Sequence, residues 1–327
     1  MSAPRTEPAA AAAGWHRLTA FGLTIDSTWP LAGSRPSLAD TASPETVTRV
    51  TQVASATVDA AWCADAERLL EYRDPAPPGE ISFTADRSRE HYRFWARDYG
   101  RYLVAVDGSA VACERDAAGR EPQERFVLAH ALPVAAILRG YEVLHVSAVS
   151  GDAGAAAFAG ASGTGKTRLA SRLVARGAAF LTDDVLAVEA AGPEVLGHPG
   201  PAFMAIRRDD AAMLAEIGGR LGAAAGSTDK VHVSPPRRGH TSALRAIYHL
   251  QWDDAFSVSP LEGDELQRVL SLSFVPYLTT PQRLMRHLAI AQLASAGVAQ
   301  FRLRTPRAEL SDEMLVTLEA HMRDAGV

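Results

Sequence analysis

Residues 15–120 read as short strands separated by turns, with apolar and polar residues alternating in places at the two-residue period of half-buried strands. Phe21-Gly22-Leu23-Thr24-Ile25-Asp26 alternates until Trp29-Pro30 interrupts it, and residues 81–84, 91–95 and 102–106 predict further strands. Asp107-Gly108, between 102–106 and 110–113, is a hairpin signal, because both residues tolerate the positive φ of a tight turn. No catalytic motif falls within residues 15–120.

At residue 123 the period changes. Phe126, Leu128, Ala129, Leu132, Ala136 and Ile137 recur at helical spacing. They predict a helix over 123–140, started or kinked near Pro133 and ended at Gly140. A strand over 143–149 follows, then a tight turn over 150–154 and a second strand over 155–159. A glycine-rich loop comes next, then a helix over 166–176 closed by Gly177, and a strand from Phe180 into Asp183-Asp184. Residues 218–228 are rich in Gly, Ala and Ser and predict a mobile loop. Strands are predicted over 231–234, 243–252 and 300–303, and helices over 264–273, 281–296 and 311–322. No internal repeat is visible. Strand, glycine loop, helix, strand is an α/β nucleotide-binding order. The expected organisation is a disordered tail (1–14), a small β-rich N-terminal domain (15–120) and an α/β P-loop kinase core (121–327).

Composition narrows the function classes. The 327 residues are 47% hydrophobic and 22% charged, ordinary for a globular protein, and the net charge of −5 offers no basic field for nucleic acid or anionic membrane. Arg207-Arg208 and Arg237-Arg238 are two pairs, not a basic stripe. The two cysteines, Cys63 and Cys113, stand far apart without histidines at metal-ligand spacing, which argues against a disulfide framework and a zinc site. The Ala- and Pro-rich start lacks the charged end and long apolar centre of a signal peptide, and no run approaches a membrane span. A cytoplasmic protein is expected.

The chemistry is concentrated in Gly160-Ala161-Ser162-Gly163-Thr164-Gly165-Lys166-Thr167, which meets the pattern G-x-x-x-x-G-K-[ST] in full. Glycines let the backbone turn tightly, so several N–H groups point at one anion, and the following helix adds the positive end of its dipole. Lys166 is expected to reach the β- and γ-phosphates, and the Thr167 hydroxyl to bind Mg²⁺. Asp183 and Asp184 end the next strand, which in P-loop folds neighbours the phosphate loop. One carboxylate can hold Mg²⁺ directly or through water, and the other can take the proton of an attacking hydroxyl. Adjacent strand residues point to opposite faces, so both serve one site only if the strand ends there. His145, within Leu144-His145-Val146-Ser147, would on its own read as a histidine of the core.

This ordered set resembles the catalytic domain of HPr kinase/phosphorylase and its stand-alone kinase relatives. That family places a histidine on a strand, a hairpin, a G-x-S-G-x-G-K-[ST] loop, a helix ending in Gly and a strand ending in Asp-Asp. The chain supplies Leu144-His145, the hairpin over 150–154, the loop with Ser162, Arg176-Gly177 and Leu181-Thr182-Asp183-Asp184. The match is specific over residues 140–200. Phe21-Gly22-Leu23 and Trp29-Pro30-Leu31 are also similar to the opening of the stand-alone branch. The resemblance implies a P-loop core of HPr kinase type using ATP and Mg²⁺. Asp184 would be the base, Asp183 would assist with metal or water, and His145 would lie near the transferred phosphate. Because the family forms hexamers, a homo-oligomer is also in view.

One position departs. Where the bifunctional enzyme carries Glu-Ile-Arg after the Asp-Asp strand, this chain has Ala205-Ile206-Arg207. That removes the second metal carboxylate, puts the reverse phosphorylase reaction in question, and argues against the phosphocarrier HPr as substrate. Stand-alone relatives include kinases that phosphorylate a serine of a peptide, among them tailoring enzymes of ribosomally made lasso peptides. A peptide or protein serine is therefore the expected acceptor, with Arg207 and Lys230 as candidate cations for phosphate and surface charge as their simpler reading. Two other readings share the loop: an ATP-binding switch that passes phosphate to no acceptor, and a kinase of a small metabolite such as free serine.

Overall fold

The computed structural model describes residues 14–33, 35–36, 47–75, 79–115, 120–208, 211, 214–215, 219–224, 230–307 and 310–327. The expected tail, apart from Gly14, and residues 218 and 225–229 lie outside them. The protein is mixed α/β with three sheets. Among the described residues no helix is long and apolar enough to cross a membrane.

In the N-terminal sheet nine strands are ordered Arg35–Pro36, His16–Ala20, Leu23–Ser27, Val47–Val53, Ala110–Glu114, Gly100–Ala105, His91–Ala96, Ile81–Arg87 and Glu67–Arg73. Neighbours are antiparallel, except that Val47–Val53 runs parallel to both Leu23–Ser27 and Ala110–Glu114. Alternation assigns the faces. On His91–Ala96, Tyr92, Phe94 and Ala96 enter the core. Arg93 faces the other way, where its guanidinium donates to the carbonyls of Ala61, Trp62 and Ala64 at the end of the helix Ser55–Trp62.

The core face is covered by one long helix, α-helical over Arg120–Phe126 and Leu132–Leu138 with a π-type turn over Val127–Ala131 between them. Pro133 has no N–H for the carbonyl four residues back, and the wider turn just before it takes up the mismatch. This core does not stop at the N-terminal sheet: it continues through Val143, Val185, Ala187, Val275 and Leu278.

The second sheet carries the glycine loop. Ala155–Ala159, Ser242–Trp252 and Ala299–Thr305 are parallel neighbours. Val146–Ser150 lies antiparallel on the free side of Ala155–Ala159, and Ala179–Thr182 antiparallel beyond it. The Asp-Asp strand is therefore not the direct neighbour of the loop strand; Val146–Ser150 separates them. It still points the same way, so Ala159, Thr182, Trp252 and Thr305 all end at one edge, where open α/β sheets place their ligands. Helices cover both faces. Leu169 and Leu173 of Lys166–Ala175 and Leu315 and Leu318 of Asp312–Asp324 pack on Phe158, Tyr248 and Leu303. Ile290, Ala291 and Ala294 of Pro281–Gly297 pack on Leu144, Ala157 and Ile247. Both outer helices start on side-chain caps: the Thr280 hydroxyl accepts from Arg283 N at 3.2 Å and the Ser311 hydroxyl from Met314 N at 3.3 Å. The third sheet joins Met204–Arg207, Lys230–Ser234 and Arg220–Ala224.

Three expected elements differ. The strand over 143–149 is two strands, Glu142–Leu144 and Val146–Ser150, broken at His145. The His145 N–H leaves the ladder for the carbonyl of Leu272 at 2.6 Å, so the halves join different neighbours. Phe21-Gly22 is not strand but the turn between His16–Ala20 and Leu23–Ser27, with φ of 57° and 78°. Phe21 holds this unfavourable conformation because its ring is in the core and its N–H bonds Pro199 O at 2.8 Å. Within 218–228, residues Arg220–Ala224 form a strand, because Lys230–Ser234 beside them offers a ladder.

Candidate active site

The glycine loop leaves strand Ala155–Ala159 and enters helix Lys166–Ala175 at Gly165. Gly163 and Gly165 have φ of 83° and 95°, values side chains resist. At Gly160 a Cβ would stand 2.7 Å from the Thr164 hydroxyl, so the turn closes only over glycine. The Thr164 hydroxyl in turn donates to Ala161 O at 2.8 Å. Helix N–H groups of the first turn lack intrahelical partners and face the loop. The Lys166 ammonium folds back over it, donating to the carbonyls of Gly160 at 2.8 Å and Ala161 at 3.3 Å. Lys166 is buried; burial lowers its pKa, while the Asp184 and Asp183 carboxylates oppose the shift.

Strand Ala179–Thr182 ends one residue before the Asp pair, which lets the two side chains diverge. Asp183 turns inward. Its Oδ1 accepts from the Thr167 hydroxyl at 2.8 Å, the Ser147 hydroxyl at 2.7 Å and the Asp184 N–H at 3.1 Å. Burial, and then the neighbouring Asp184 charge, push its pKa up to about 7, against the pull of those hydroxyls and of the Ala205 N–H. Asp184 is exposed and adopts a left-handed φ of 62°, which turns its carboxylate out of the strand.

His145 joins this group electrostatically. Burial lowers its pKa first, the Lys166 charge lowers it further, and Asp184 raises it. Its ring stacks on Phe274 with centroids 5.9 Å apart and planes 19° from parallel. Lys166, Thr167, Asp183, Asp184 and His145 are thus brought together from three separate stretches of chain. Arg207 and Lys230 pair in register at one end of the third sheet. Arg207 is exposed and makes no hydrogen bond or ion pair among the described residues; the Lys230 side chain lies outside them. Ala205 shares the strand face of Arg207. The position where a second carboxylate was expected therefore reaches Asp183 with a backbone N–H only.

The donor set fits a hard cation. Asp183 and Thr167 offer adjacent oxygens, and Mg²⁺ commonly takes one or two protein oxygens and completes its shell with phosphate and water. No group of three or more His, Cys, Asp or Glu side chains able to hold a metal occurs among the described residues.

Several residues at or beside the site were not expected from the sequence. Ser147 is a polar residue inside a buried strand, which could have marked it. Phe274 and Tyr277 come from a distant segment. Phe274 also meets His130, 5.9 Å between ring centroids, whose Nε2 meets the Tyr277 hydroxyl at 2.8 Å. His130 and Tyr277, with Phe83, Phe126 and the exposed Leu70 and Arg97, line a cleft of about 680 Å³ against the N-terminal sheet. Phe274 thus touches both His145 and a residue that lines this cleft.

No protein-family profile matches the chain, and no curated protein matches it in sequence. Among solved structures it is similar to the HPr(Ser) kinase/phosphatase from Coxiella burnetii, with a TM-score of 0.32 and 10% identity, over 56% of this chain and 89% of that one. That likeness is too remote to assign an activity.

Proposed function

We propose that the protein is a kinase that transfers the γ-phosphate of ATP to a hydroxyl, foremost a serine of a peptide or protein. The observation that carries this reading is the 2.8 Å contact between Thr167 Oγ1 and Asp183 Oδ1. It ties the end of the glycine loop to the carboxylate pair, the two halves that phosphoryl transfer needs side by side.

The loop N–H groups and the start of helix Lys166–Ala175 would hold the β- and γ-phosphates. Lys166 needs only a change of rotamer from the Gly160 carbonyl to meet them. Thr167 and Asp183 would hold Mg²⁺, which neutralises charge on the phosphate oxygens. Asp184, exposed beside this group, takes the proton of the acceptor hydroxyl. The acceptor oxygen then bonds the γ-phosphorus as the bond to the bridging oxygen breaks and ADP leaves. His145, kept neutral by burial and by Lys166, can donate a hydrogen bond to the transferred group. The cleft lined by His130 and Tyr277, which Phe274 links to His145, would receive the part of the acceptor around the serine, a peptide rather than free serine.

The ATP-binding switch is the second reading, favoured by Ala205, which leaves Asp183 without a second carboxylate opposite it. Intact-mass measurement of phosphate transfer separates the two. Wild type, Asp184→Asn and Lys166→Ala would be given ATP, Mg²⁺ and either serine-bearing peptides or free serine. Transfer to peptide, lost in both variants, is the expected result. Nucleotide binding without transfer to any acceptor would replace the kinase by the switch.

A further inference from the structure

We infer that Trp252, with Arg307 over its ring, is the platform on which the nucleobase stacks. The inference rests on the proposed nucleotide binding and names the part of that site the glycine motif leaves open. Asp183, just past Ala179–Thr182, and Ser147, which orients it from Val146–Ser150, lie on one side of the loop strand. On the other side the parallel neighbour is Ser242–Trp252, and its last residue is Trp252. A triphosphate whose γ end lies by Thr167 and Asp183 therefore directs its nucleoside toward Trp252.

The ring is already at the loop. A Cβ placed on Gly165 would stand 3.5 Å from Trp252 Cη2, so the indole edge borders the residue that starts the phosphate helix. Trp252 is partly exposed rather than packed into a core cluster. The Arg307 guanidinium lies over the ring at 6.0 Å from its centroid. Flat groups in contact sit about 3.5–4 Å apart, so a base between the two needs about 7 Å, within reach of an exposed arginine. Arg304, nearby on the strand ending at Thr305, is held by Asp253 at 3.4 Å, which leaves Arg307 as the cation over the ring. Every base has a π-face, so the platform binds purine nucleoside triphosphates with little choice between adenine and guanine.

The test is calorimetric binding of ATP, GTP and inorganic triphosphate, each with Mg²⁺, to the full chain and to Trp252→Leu, Trp252→Phe and Arg307→Ala. Wild type should bind ATP and GTP about tenfold or more tightly than triphosphate. Trp252→Leu should erase that difference and leave triphosphate binding unchanged, while Trp252→Phe keeps most of it. ATP bound equally well by wild type and Trp252→Leu overturns the platform. So does an equal loss of ATP and triphosphate, which would mark damage to the loop instead. Wild type that binds triphosphate but gains nothing from a base overturns the platform and spares the phosphate site. Wild type that binds none of the three overturns the nucleotide reading as well.

Discussion

Arg283 and Glu142 form an ion pair sealed from water: Nη2 donates to Oε1 at 2.6 Å, with side-chain exposures of 2% and 0%. The same guanidinium donates to the carbonyls of Val275 and Leu278 and to the Ser273 hydroxyl. It therefore fixes the segment that carries Phe274 to His145 and Tyr277 to His130. Removing one partner of such a pair leaves the other charged and buried, at a cost of about 3–5 kcal/mol. Arg283→Met is expected to lose about that much stability in urea unfolding, and Glu142→Gln less, because the amide oxygen still accepts. A loss below about 1 kcal/mol for Arg283→Met would show that water enters the site and hydrates the orphaned carboxylate.

Ser147 touches no reacting atom in the proposed mechanism; it orients Asp183 through a 2.7 Å hydrogen bond. Partners of this kind typically change metal affinity by about 10- to 100-fold when removed. Ser147→Ala is expected to raise the Mg²⁺ concentration for half-maximal transfer by about tenfold, with the ATP KM at saturating Mg²⁺ little changed. Ser147→Thr, which keeps the hydroxyl, should restore most of it. A Mg²⁺ titration of transfer checks this, and an unchanged midpoint in Ser147→Ala would remove Asp183 from the metal site.

His130 packs against Phe83, Phe94 and Phe126, and burial pushes its pKa down to about 4. In the unfolded chain it titrates near pH 6.5. Between those values the unfolded state binds a proton that the folded state refuses, so its contribution to stability falls as pH drops from about 6.5 to 4. The span corresponds to ~3 kcal/mol. Asp183, raised to about 7, works in the opposite direction between about 7 and 3.8. The prediction is therefore a difference: the stability of wild type relative to His130→Phe falls as pH drops from 7 to 4. Urea unfolding at several pH values reads it, and a constant gap would mean that the folded protein protonates His130 freely.

The parts legible in the sequence are those whose signal is local. The glycine loop, its helix and the Asp pair are contiguous, and chemistry alone demands their spacing. Ile81–Arg87 and His91–Ala96 show in their alternation, whereas His16–Ala20, Arg35–Pro36, Val47–Val53 and Glu67–Arg73 were not expected. The break at His145 does not, because apolar residues continue on both sides and only the bond to Leu272 O, contributed from far along the chain, interrupts the ladder. Phe21-Gly22 keeps the alternating pattern although it turns, since burial of the Phe21 ring overrides the preference against positive φ. The strand Arg220–Ala224 has the composition of a loop and is stabilised by its neighbour rather than by its own propensity. Phe274, Tyr277 and Trp252 reach the site or its border through tertiary packing, and nothing within a few residues of them marks that destination.

The cleft offers a way to tell a peptide acceptor from a small one. Leu70 lines it from the edge strand Glu67–Arg73, is 36% exposed, and contributes little to the core, so a charge there leaves the fold intact. An acceptor side chain lodged against Leu70, Phe83 and Phe126 gains an apolar contact worth about 1.5–3 kcal/mol when fully buried. Leu70→Glu should remove a large part of that contact, raising the peptide KM by about tenfold. The KM for ATP should not move, because the glycine loop and Trp252 lie elsewhere. Free serine has no neighbouring residue to lodge against Leu70, so any transfer to it should be the same in wild type and variant. Steady-state kinetics with both acceptors checks this, and a peptide KM unchanged by Leu70→Glu would place the acceptor on another face of the site.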